Sequence, residues 1–331
     1  MPIGTPSLSV VLPVRNAEHY LGATLRSVRG NLRDQPTGDI ELVVIDDGSD
    51  DATPDVIAEA EAQLPGLRVI THDHAHGLAD ARNVGLAAAQ GRFVTYLDGD
   101  DWLAPGYLPR LVEAIDGLGC DFVRVDHVQV TGSQRTTHWA PQGRRDAVLD
   151  PRDGILPANR RSMVDYPYAW AGVYRRSVGD VLQFPSGLHT AEDRPWIWRL
   201  HRELSSYAVV SLAGLFYRRL VAQSLTQTGD ARQLHFFDAY DHVLRGVAAD
   251  RDADLLMPKA AQQFVALLGH HLTLLGRFEP VLARRFRARA LTSLAAIPPG
   301  VLAGITVRGE RASALRRLIP RDSPLRRGLR P

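Results

Sequence analysis

Three aspartates stand close together directly after an apolar segment. Asp98, Asp100 and Asp101 follow residues 93–97, whose β-branched and aromatic side chains predict a buried strand. Carboxylates crowded at a strand end repel one another, which raises their pKa values and opposes folding. Mg²⁺ or Mn²⁺ relieves this repulsion and is usually held by one or two carboxylates, with substrate phosphates at other positions. The Asp-x-Asp therefore predicts a divalent-metal site, with a solvated acidic turn before the next helix as the alternative.

Two other polar clusters follow predicted strands. Arg15 and Asn16 come shortly after the largely apolar run 7–12, and Asp46 and Asp47 come directly after the run 40–45. The strands alternate with segments whose apolar residues recur at helical spacing. This alternation predicts right-handed βαβ units in a doubly wound, mostly parallel α/β sheet. Because ligands of such sheets bind beyond the carboxyl ends of the strands, we expect the three clusters to form one site.

The elements that must position this site have approximate limits in the sequence. Strands are predicted at 7–12, 40–45, 67–71, 93–97 and 120–130, and a helix at 78–90 that ends at Gly91. No Gly-x-Gly-x-x-Gly follows the first strand and no Walker A loop occurs, so a dinucleotide-binding fold and a P-loop are disfavoured. From residue 233 onward the pattern predicts helices and shows no catalytic motif.

The composition indicates a globular protein of a reducing compartment. Hydrophobic residues make up 45% of the 331 residues, and Cys120 is the only cysteine, so no disulfide can form within the chain. The first residues lack the features of a signal peptide, and no apolar run is long enough to span a membrane. We therefore expect a cytoplasmic protein, with peripheral binding at the inner face of the membrane left open.

The last 51 residues are strongly basic. From residue 281 onward, twelve arginines stand against two acidic residues, a net charge of +10, so the remainder of a chain with net charge +2 carries −8. Leu282, Phe286, Leu291 and Leu294 can share one helical face among these arginines. Such a segment suits an anionic membrane surface, and the alternative is a terminal helix packed on the acidic body. We expect no nucleic-acid partner, because interleaved aromatic residues are scarce, and self-association is left open.

Four segments, in this order and spacing, resemble family 2 glycosyltransferases of the GT-A fold: 11–18, 44–49, 81–85 and 96–101. The resemblance implies a GT-A fold with a C-terminal helical appendage, and a nucleoside-diphosphate sugar as donor, with a UDP-sugar favoured. It implies that Asp47 binds the nucleobase and that Asp100 holds Mn²⁺ or Mg²⁺ on the donor diphosphate. Asp98 would lie beside the ribose or the metal, and Arg82 near the nucleotide.

The same resemblance places the end of the first strand in the donor site. Pro13, Arg15 and Asn16 occupy the matching positions. Arg15 stands where the family commonly has a tyrosine that stacks on the base. A planar guanidinium can also stack on an aromatic ring, so donor binding is retained in this interpretation.

Later segments extend the resemblance towards the acceptor. Residues 166–176 resemble the part that lines the acceptor side. Glu192 and Asp193 match the family's Glu-Asp motif, which implies that Asp193 is the general base, with helix capping as the alternative. Arg219 and Ser224 resemble the loop over the donor diphosphate, in which Val221 replaces a frequent histidine.

Together these features predict a metal-dependent, inverting glycosyltransferase. The acceptor hydroxyl would belong to a glycan, a wall polymer or a lipid-linked acceptor used for a cell-envelope polysaccharide. We divide the chain into a nucleotide-sugar-binding half at 1–118, an acceptor-binding and catalytic half at 119–228, and a helical region with an arginine-rich tail at 229–331. A nucleotidyltransferase and a noncatalytic module that binds sugar nucleotides or polymers are the alternatives.

Overall fold

The computed structural model describes residues 5–33, 35, 39–64, 66–219 and 229–330 of the chain. Its first part alternates strands and helices, as the apolar pattern predicts. The elements of this part are β1 (Leu8–Val14), α1 (Leu21–Leu32), β2 (Ile40–Asp46), α2 (Thr53–Glu61), β3 (Leu67–Thr71), α3 (Leu78–Ala88), β4 (Phe93–Tyr96), β5 (Trp102–Leu103) and α4 (Tyr107–Leu118).

The strands β1 to β4 form the parallel centre of the main sheet. β1 pairs in parallel with β2 and β4, and β2 pairs in parallel with β3. Every residue of β1 and β2 is buried, which is typical of parallel strands covered on both faces. The helix α3 packs on both strands, and a Cβ at Gly85 would lie 2.4 Å from Cγ1 of Val11. This register brings the ends of β1, β2 and β4 to one edge of the sheet.

The second part extends the main sheet and builds a smaller one beside it. The main sheet has the order β10-β6-β9-β4-β1-β2-β3, in which β9 is antiparallel to both of its neighbours. The smaller sheet has the order β5-β11-β7-β8. Because the main sheet runs across residue 118, the predicted halves share one sheet. The elements of this part are β6 (Phe122–Val125), β7 (His127–Thr131), β8 (Gln134–His138), β9 (Gly172–Arg175), α5 (Asp193–Glu203), β10 (Tyr207–Val210) and β11 (Leu215–Arg218).

The single strand predicted at 120–130 is wrong, because the chain changes sheets at Asp126. This residue is fully buried between β6 and β7. Its carboxylate accepts hydrogen bonds from Arg145 at 3.0 Å and from the amide of Ala140 at 2.8 Å. A buried aspartate needs such partners, and they lie in the loop after β8 rather than along the main sheet. Valines recur on both sides of Asp126 in the sequence, which conceals this change of direction.

The C-terminal part is helical, as predicted, and it is joined to α5 by buried ion pairs. Arg152 and Arg202, the latter on α5, both donate hydrogen bonds to Asp250. Lys259, the only lysine of the chain, is 2% exposed and donates to Asp165 at 2.5 Å. These contacts hold the helices against the part of the chain that carries Asp193. The elements are α6 (His235–Ala248), α7 (Ala253–Thr273), α8 (Pro280–Ala295), α9 (Pro299–Gly304), β12 (Val307–Arg308), α10 (Gly309–Leu318) and β13 (Leu329–Arg330).

The apolar face of the arginine-rich helix α8 packs on the body. Phe286 is fully buried, and its ring centroid lies 4.7 Å from that of Phe237 on α6. Leu294 is 5% exposed, and Arg289 donates to Asp238 at 2.9 Å. Of the two alternatives that the sequence left open, the structure agrees with a terminal helix packed on the body, which buries Phe286 and Leu294 and leaves Leu291 exposed. None of the described helices combines the length and apolar character needed to cross a membrane.

Truncating Phe286 is expected to destabilise the whole protein. Phe286→Ala removes a fully buried ring, and such changes lower the free energy of unfolding by about 3–5 kcal/mol. The matched control is Leu291→Ala on the same helix, because Leu291 is 41% exposed and its loss should cost about 0.5 kcal/mol or less. Urea unfolding followed by circular dichroism measures both. Equal effects of the two substitutions would mean that α8 is not packed on the body.

Candidate active site

The turn after β4 places the three aspartates in different environments. Gly99 lies against β1, where a Cβ would come within 2.9 Å of Cγ1 of Val14. The Asp98 side chain is 26% exposed, whereas Asp101 is fully buried and accepts a hydrogen bond from the amide of Arg218 at 2.8 Å. The hydroxyl of Thr24 donates to the carbonyl of Asp101 at 2.6 Å. Asp101 therefore anchors the turn to α1 and β11, which leaves Asp98 and Asp100 to meet a ligand.

Burial and charge repulsion raise two pKa values in this turn. Burial, helped by the charge of Asp98, raises the pKa of Asp100 to about 6. Burial, helped by Asp100 and Asp98, raises the pKa of Asp101 well above its ordinary value. The Oδ2 atom of Asp101 is buried and has no hydrogen-bond partner among the described residues, which agrees with a neutral carboxyl group.

Asp98 and Asp100 have the chemistry of a divalent-metal site that a substrate completes. Their carboxylates are hard oxygen ligands, and the raised pKa of Asp100 marks a carboxyl group that a nearby positive charge would stabilise. Among the described residues, no group of three His, Cys, Asp or Glu side chains could hold a metal ion by itself. Mg²⁺ commonly takes only one or two protein carboxylates and fills its other positions with phosphate oxygens and water. The pair therefore fits a metal that binds together with a diphosphate.

Arg82 connects the aspartate turn to the start of α5. Its Nη2 atom donates to Oδ1 of Asp98 at 2.9 Å, and its Nη1 atom donates to Oε1 of Glu192 at 2.7 Å. Arg82 is 3% exposed. Burial disfavours its charge, but Asp98 and Glu192 together raise the pKa of Arg82 above its ordinary value. One guanidinium thus spans the distance between two carboxylates that lie 94 residues apart in sequence.

Asp193, the first residue of α5, lies next to this bridge. Burial raises the pKa of Asp193 to about 7. The positive charge of Arg194 opposes this rise, and the negative charge of Glu192 adds to it. The Asp193 side chain still exposes 23% of its surface, so a ligand can reach it. Glu192 is the N-cap of α5 and makes no side-chain capping hydrogen bond. A partly exposed carboxylate that changes protonation near pH 7 is suited to general-base catalysis.

Asp47 lies at the end of β2 under the loop that precedes α3. Its Oδ1 atom accepts hydrogen bonds from the amide of His76 and from Nδ1 of His72, and its Oδ2 atom accepts from the amide of Gly77, each at 2.8 Å. Burial alone raises the pKa of Asp47, but these hydrogen bonds hold it below its ordinary value. Gly48 has a φ of 68°, and a Cβ there would lie 2.6 Å from the backbone of His74. Glycine is therefore required where this loop crosses the end of β2.

The arrangement agrees with comparisons to known proteins. The sequence profile of Glycosyl transferase family 2 matches residues 9–180, which is more than half of the chain. The chain belongs to this family. The putative glycosyltransferase EpsH of Bacillus subtilis is 30% identical over 231 residues, which cover 67% of this chain and 63% of EpsH. The matched region is therefore less than two thirds of that relative's own length.

Another relative agrees with the family 2 assignment, and a solved structure shares the fold. The succinoglycan biosynthesis protein ExoO of Rhizobium meliloti is 41% identical over 91 residues, which cover 28% of this chain and 25% of ExoO. The crystal structure of S. aureus TarS 1-349 in complex with UDP-GlcNAc superposes with a TM-score of 0.69 at 20% identity, covering 90% of this chain and 84% of that chain. At this identity the likeness concerns the fold alone, and it confirms the predicted GT-A α/β fold with a helical C-terminal region.

Three of the remaining donor residues predicted for a family 2 protein lie at the carboxyl end of β1. Pro13 is buried in β1 opposite Ile45. Arg15 is exposed, and Asn16, with a φ of 50°, donates from its side chain to Asp50 at 2.6 Å. Ser224 and Val221 lie outside the described residues.

Around the end of β11, the structure adds residues that the family 2 motifs do not indicate. Arg219 follows β11 and donates to the hydroxyl of Tyr217 at 3.2 Å. Its neighbour Arg218, which the sequence analysis missed, donates from Nε to the carbonyl of Asp100 at 2.9 Å. At a different place, directly after β3, His72 binds Asp47, which the sequence did not indicate. The alternation of β11 could have indicated that Arg218 and Arg219 point to opposite sides, but no sequence pattern pairs His72 with Asp47.

Proposed function

We propose that this chain transfers a sugar from a nucleoside-diphosphate sugar, with a UDP-sugar favoured, to an acceptor hydroxyl. The proposal rests on the position of Asp193, a carboxyl group with a pKa of about 7 that is linked to the aspartate turn through Glu192 and Arg82. A base whose neighbour Glu192 is joined to the donor-binding turn through one guanidinium suits a reaction that needs both at once. Family 2 membership favours glycosyl transfer over nucleotidyl transfer.

In the proposed reaction, Asp193 accepts the proton of the acceptor hydroxyl. The acceptor oxygen forms a bond to the anomeric carbon as the bond from that carbon to the diphosphate breaks, and the electron pair of the broken bond leaves with the diphosphate. Because attack and departure are in line on opposite faces, a single displacement inverts the anomeric configuration. Mn²⁺ or Mg²⁺, held by Asp100 with Asp98 beside it, would neutralise the charge that develops on the leaving diphosphate.

Each donor residue has a part in this proposal. Asp47 and the planar guanidinium of Arg15 would bind the base, and Pro13 and Asn16 would shape the pocket around it. Arg82 would keep Asp98 in place beside the nucleotide, and Arg219 and Ser224 would cover the diphosphate. The acceptor would be a glycan, a wall polymer or a lipid-linked acceptor, which agrees with the name of one relative, a succinoglycan biosynthesis protein. Contact with an anionic membrane would rest on exposed arginines of α8, since most of its apolar face is buried.

The proposed function is tested by donor hydrolysis. The protein is incubated with UDP-GlcNAc, UDP-glucose, UDP-galactose or GDP-mannose, with Mn²⁺ or with EDTA, and the released nucleoside diphosphate is measured. We expect slow release from one donor that depends on the metal, and a higher melting temperature with the same donor, because binding stabilises the native state. A thermal shift without any release, even when glycan acceptors are added, would instead indicate a noncatalytic binding module.

A further inference from the structure

Arg194, the second residue of α5, lies beside the proposed base and has free hydrogen-bond donors. Its Nε atom is 3.9 Å from Oδ1 of Asp193, which is too far for a hydrogen bond, and its side chain is 24% exposed, so a ligand can reach it. Its guanidinium donates no hydrogen bond within the part of the chain that the structure describes. By contrast, the nearby Arg82 donates to both Asp98 and Glu192. Because largely buried polar groups are nearly always hydrogen-bonded, the free donors of Arg194 indicate a binding function.

The other groups that act on the charge of Arg194 do not neutralise it. Burial disfavours this charge, but Tyr240, Asp193 and Asp165 raise the pKa of Arg194 above its ordinary value. The hydroxyl of Tyr240 is uncharged, is buried and has no hydrogen-bond partner among the described residues. The carboxylate of Asp165 is already paired with Lys259 at 2.5 Å. Of these three groups, only Asp193 carries a charge that is left to balance that of Arg194.

The proposed reaction removes this balancing charge. Asp193 has a pKa of about 7, so it is partly protonated before the reaction begins. When it accepts the proton of the acceptor hydroxyl, it becomes neutral, and Arg194 keeps its positive charge in a largely buried position. An unbalanced charge in such a position is costly. A negative charge on the acceptor, bound at Arg194, would remove this cost at every stage of the reaction.

The turn before α5 fixes the place of Arg194. Ala191 has a φ of 60°, a left-handed conformation that alanine rarely adopts. The amide of Arg194 donates to the carbonyl of Ala191 at 3.1 Å, and the hydroxyl of Thr190 donates to the carbonyl of Arg232, which precedes α6, at 2.9 Å. A strained residue persists only where its surroundings hold it. The guanidinium is therefore positioned before a ligand arrives, which lowers the entropic cost of binding.

We propose that Arg194 binds an anionic group of the acceptor, a carboxylate or a phosphodiester, next to the hydroxyl that receives the sugar. The planar guanidinium presents pairs of donors that match two oxygens of either group. Because Nε of Arg194 lies 3.9 Å from the base, the anionic group and the reacting hydroxyl belong to the same unit of the acceptor or to adjoining units. The acceptor is therefore acidic rather than neutral. This inference rests on the proposed function, because it assigns the chemical class of the acceptor in that same reaction.

The inference is tested by saturation-transfer NMR titrations on the full chain with UDP and Mg²⁺ at an ionic strength of about 0.15 M, which screens nonspecific attraction. The probes are methyl glucuronide for a carboxylate, glycerophosphoglycerol for a phosphodiester and methyl glucoside as the neutral sugar. We expect one anionic probe to bind at least about tenfold more tightly than methyl glucoside, the scale of a charge-assisted hydrogen bond. Arg194→Gln should reduce this preference to within about twofold. Arg194→Lys should retain part of it, because lysine keeps the charge but not the planar donor pair.

Arg245→Gln is the matched control for this experiment. Arg245 is exposed near the end of α6, so the same loss of charge there should leave the preference for the anionic probe unchanged. Circular dichroism shows whether each variant is folded, and Arg194→Met, which keeps the apolar stem, replaces Arg194→Gln if that variant does not fold.

Three results would overturn the inference: no preference for an anionic probe in the wild type, an undiminished preference after loss of the Arg194 charge, or an equal loss of affinity for the anionic and neutral probes. Donor hydrolysis by the wild type is measured in parallel. Metal-dependent release without a preference for an anionic probe contradicts the assignment of Arg194 alone, whereas no release from any donor contradicts the proposed function.

Discussion

Asp193→Asn is expected to lower sugar transfer by about 10²-fold or more while donor affinity stays unchanged, because loss of a general base has effects of this size. The amide is nearly isosteric with the carboxylate but cannot accept the proton of the acceptor hydroxyl. Transfer is measured as nucleotide release in the presence of acceptor, and donor affinity by calorimetry with UDP. Glu203→Gln is the matched control, because Glu203 ends the same helix and its side chain is 43% exposed. Transfer within a few-fold of the wild type would leave Asp193 as a structural residue only.

The pH dependence gives an independent check on Asp193. Since burial raises its pKa to about 7 in the free protein, kcat/KM should fall with decreasing pH below about 7, as the base becomes protonated. The contribution of Asp193 to the free energy of unfolding should change in the opposite direction and decrease as the pH rises. A carboxyl group whose pKa is higher in the folded than in the unfolded state stabilises the fold at low pH, and this contribution is lost as the pH rises through about 7. Asp193→Asn should therefore remove part of the loss of stability between pH 5 and pH 8.

Asp100→Asn is expected to abolish metal-dependent binding of the donor nucleotide and to leave the fold intact. The substitution removes a carboxylate whose ionisation is opposed by burial and by Asp98, so the free energy of unfolding should be unchanged or slightly increased. Calorimetric titration of UDP with Mn²⁺ and with EDTA measures the effect: the difference between the two conditions should disappear in the variant.

The control for this substitution is Asp116→Asn. Asp116 pairs with Arg92 at 3.1 Å, and its side chain is 53% exposed, so the same change of charge there should leave Mn²⁺-dependent binding intact. If Asp100→Asn binds UDP with undiminished dependence on Mn²⁺, the metal site on the aspartate turn is wrong.

Local sequence pattern was sufficient to predict the centre of the sheet. The runs at 7–12, 40–45 and 93–97 are largely apolar because each strand is buried on both faces, and such runs are visible without a structure. Their carboxyl ends meet at one edge whenever the strands are parallel, so Arg15, Asp47 and Asp98 could be grouped from the sequence. The pattern failed at 120–130, because β6 and β7 are separated by the single buried residue Asp126 and not by an exposed loop.

Contacts between distant parts of the chain decided the remaining features of the fold and the site. Such contacts cannot be read from the sequence, because a residue's partner across the fold produces no local periodicity. The sequence by itself determined the α/β class, the aspartate turn and the family resemblance. Only the tertiary structure paired Arg82 with Glu192 and buried Phe286 of the basic tail against Phe237. It also showed that Asp101 anchors the turn, unlike Asp98 and Asp100. The contact between the rings of Tyr168 and Tyr217 was likewise decided by folding, since the two residues lie 49 positions apart. Hydrophobic spacing specifies which face of an element is buried, whereas packing against the other elements determines what that face meets.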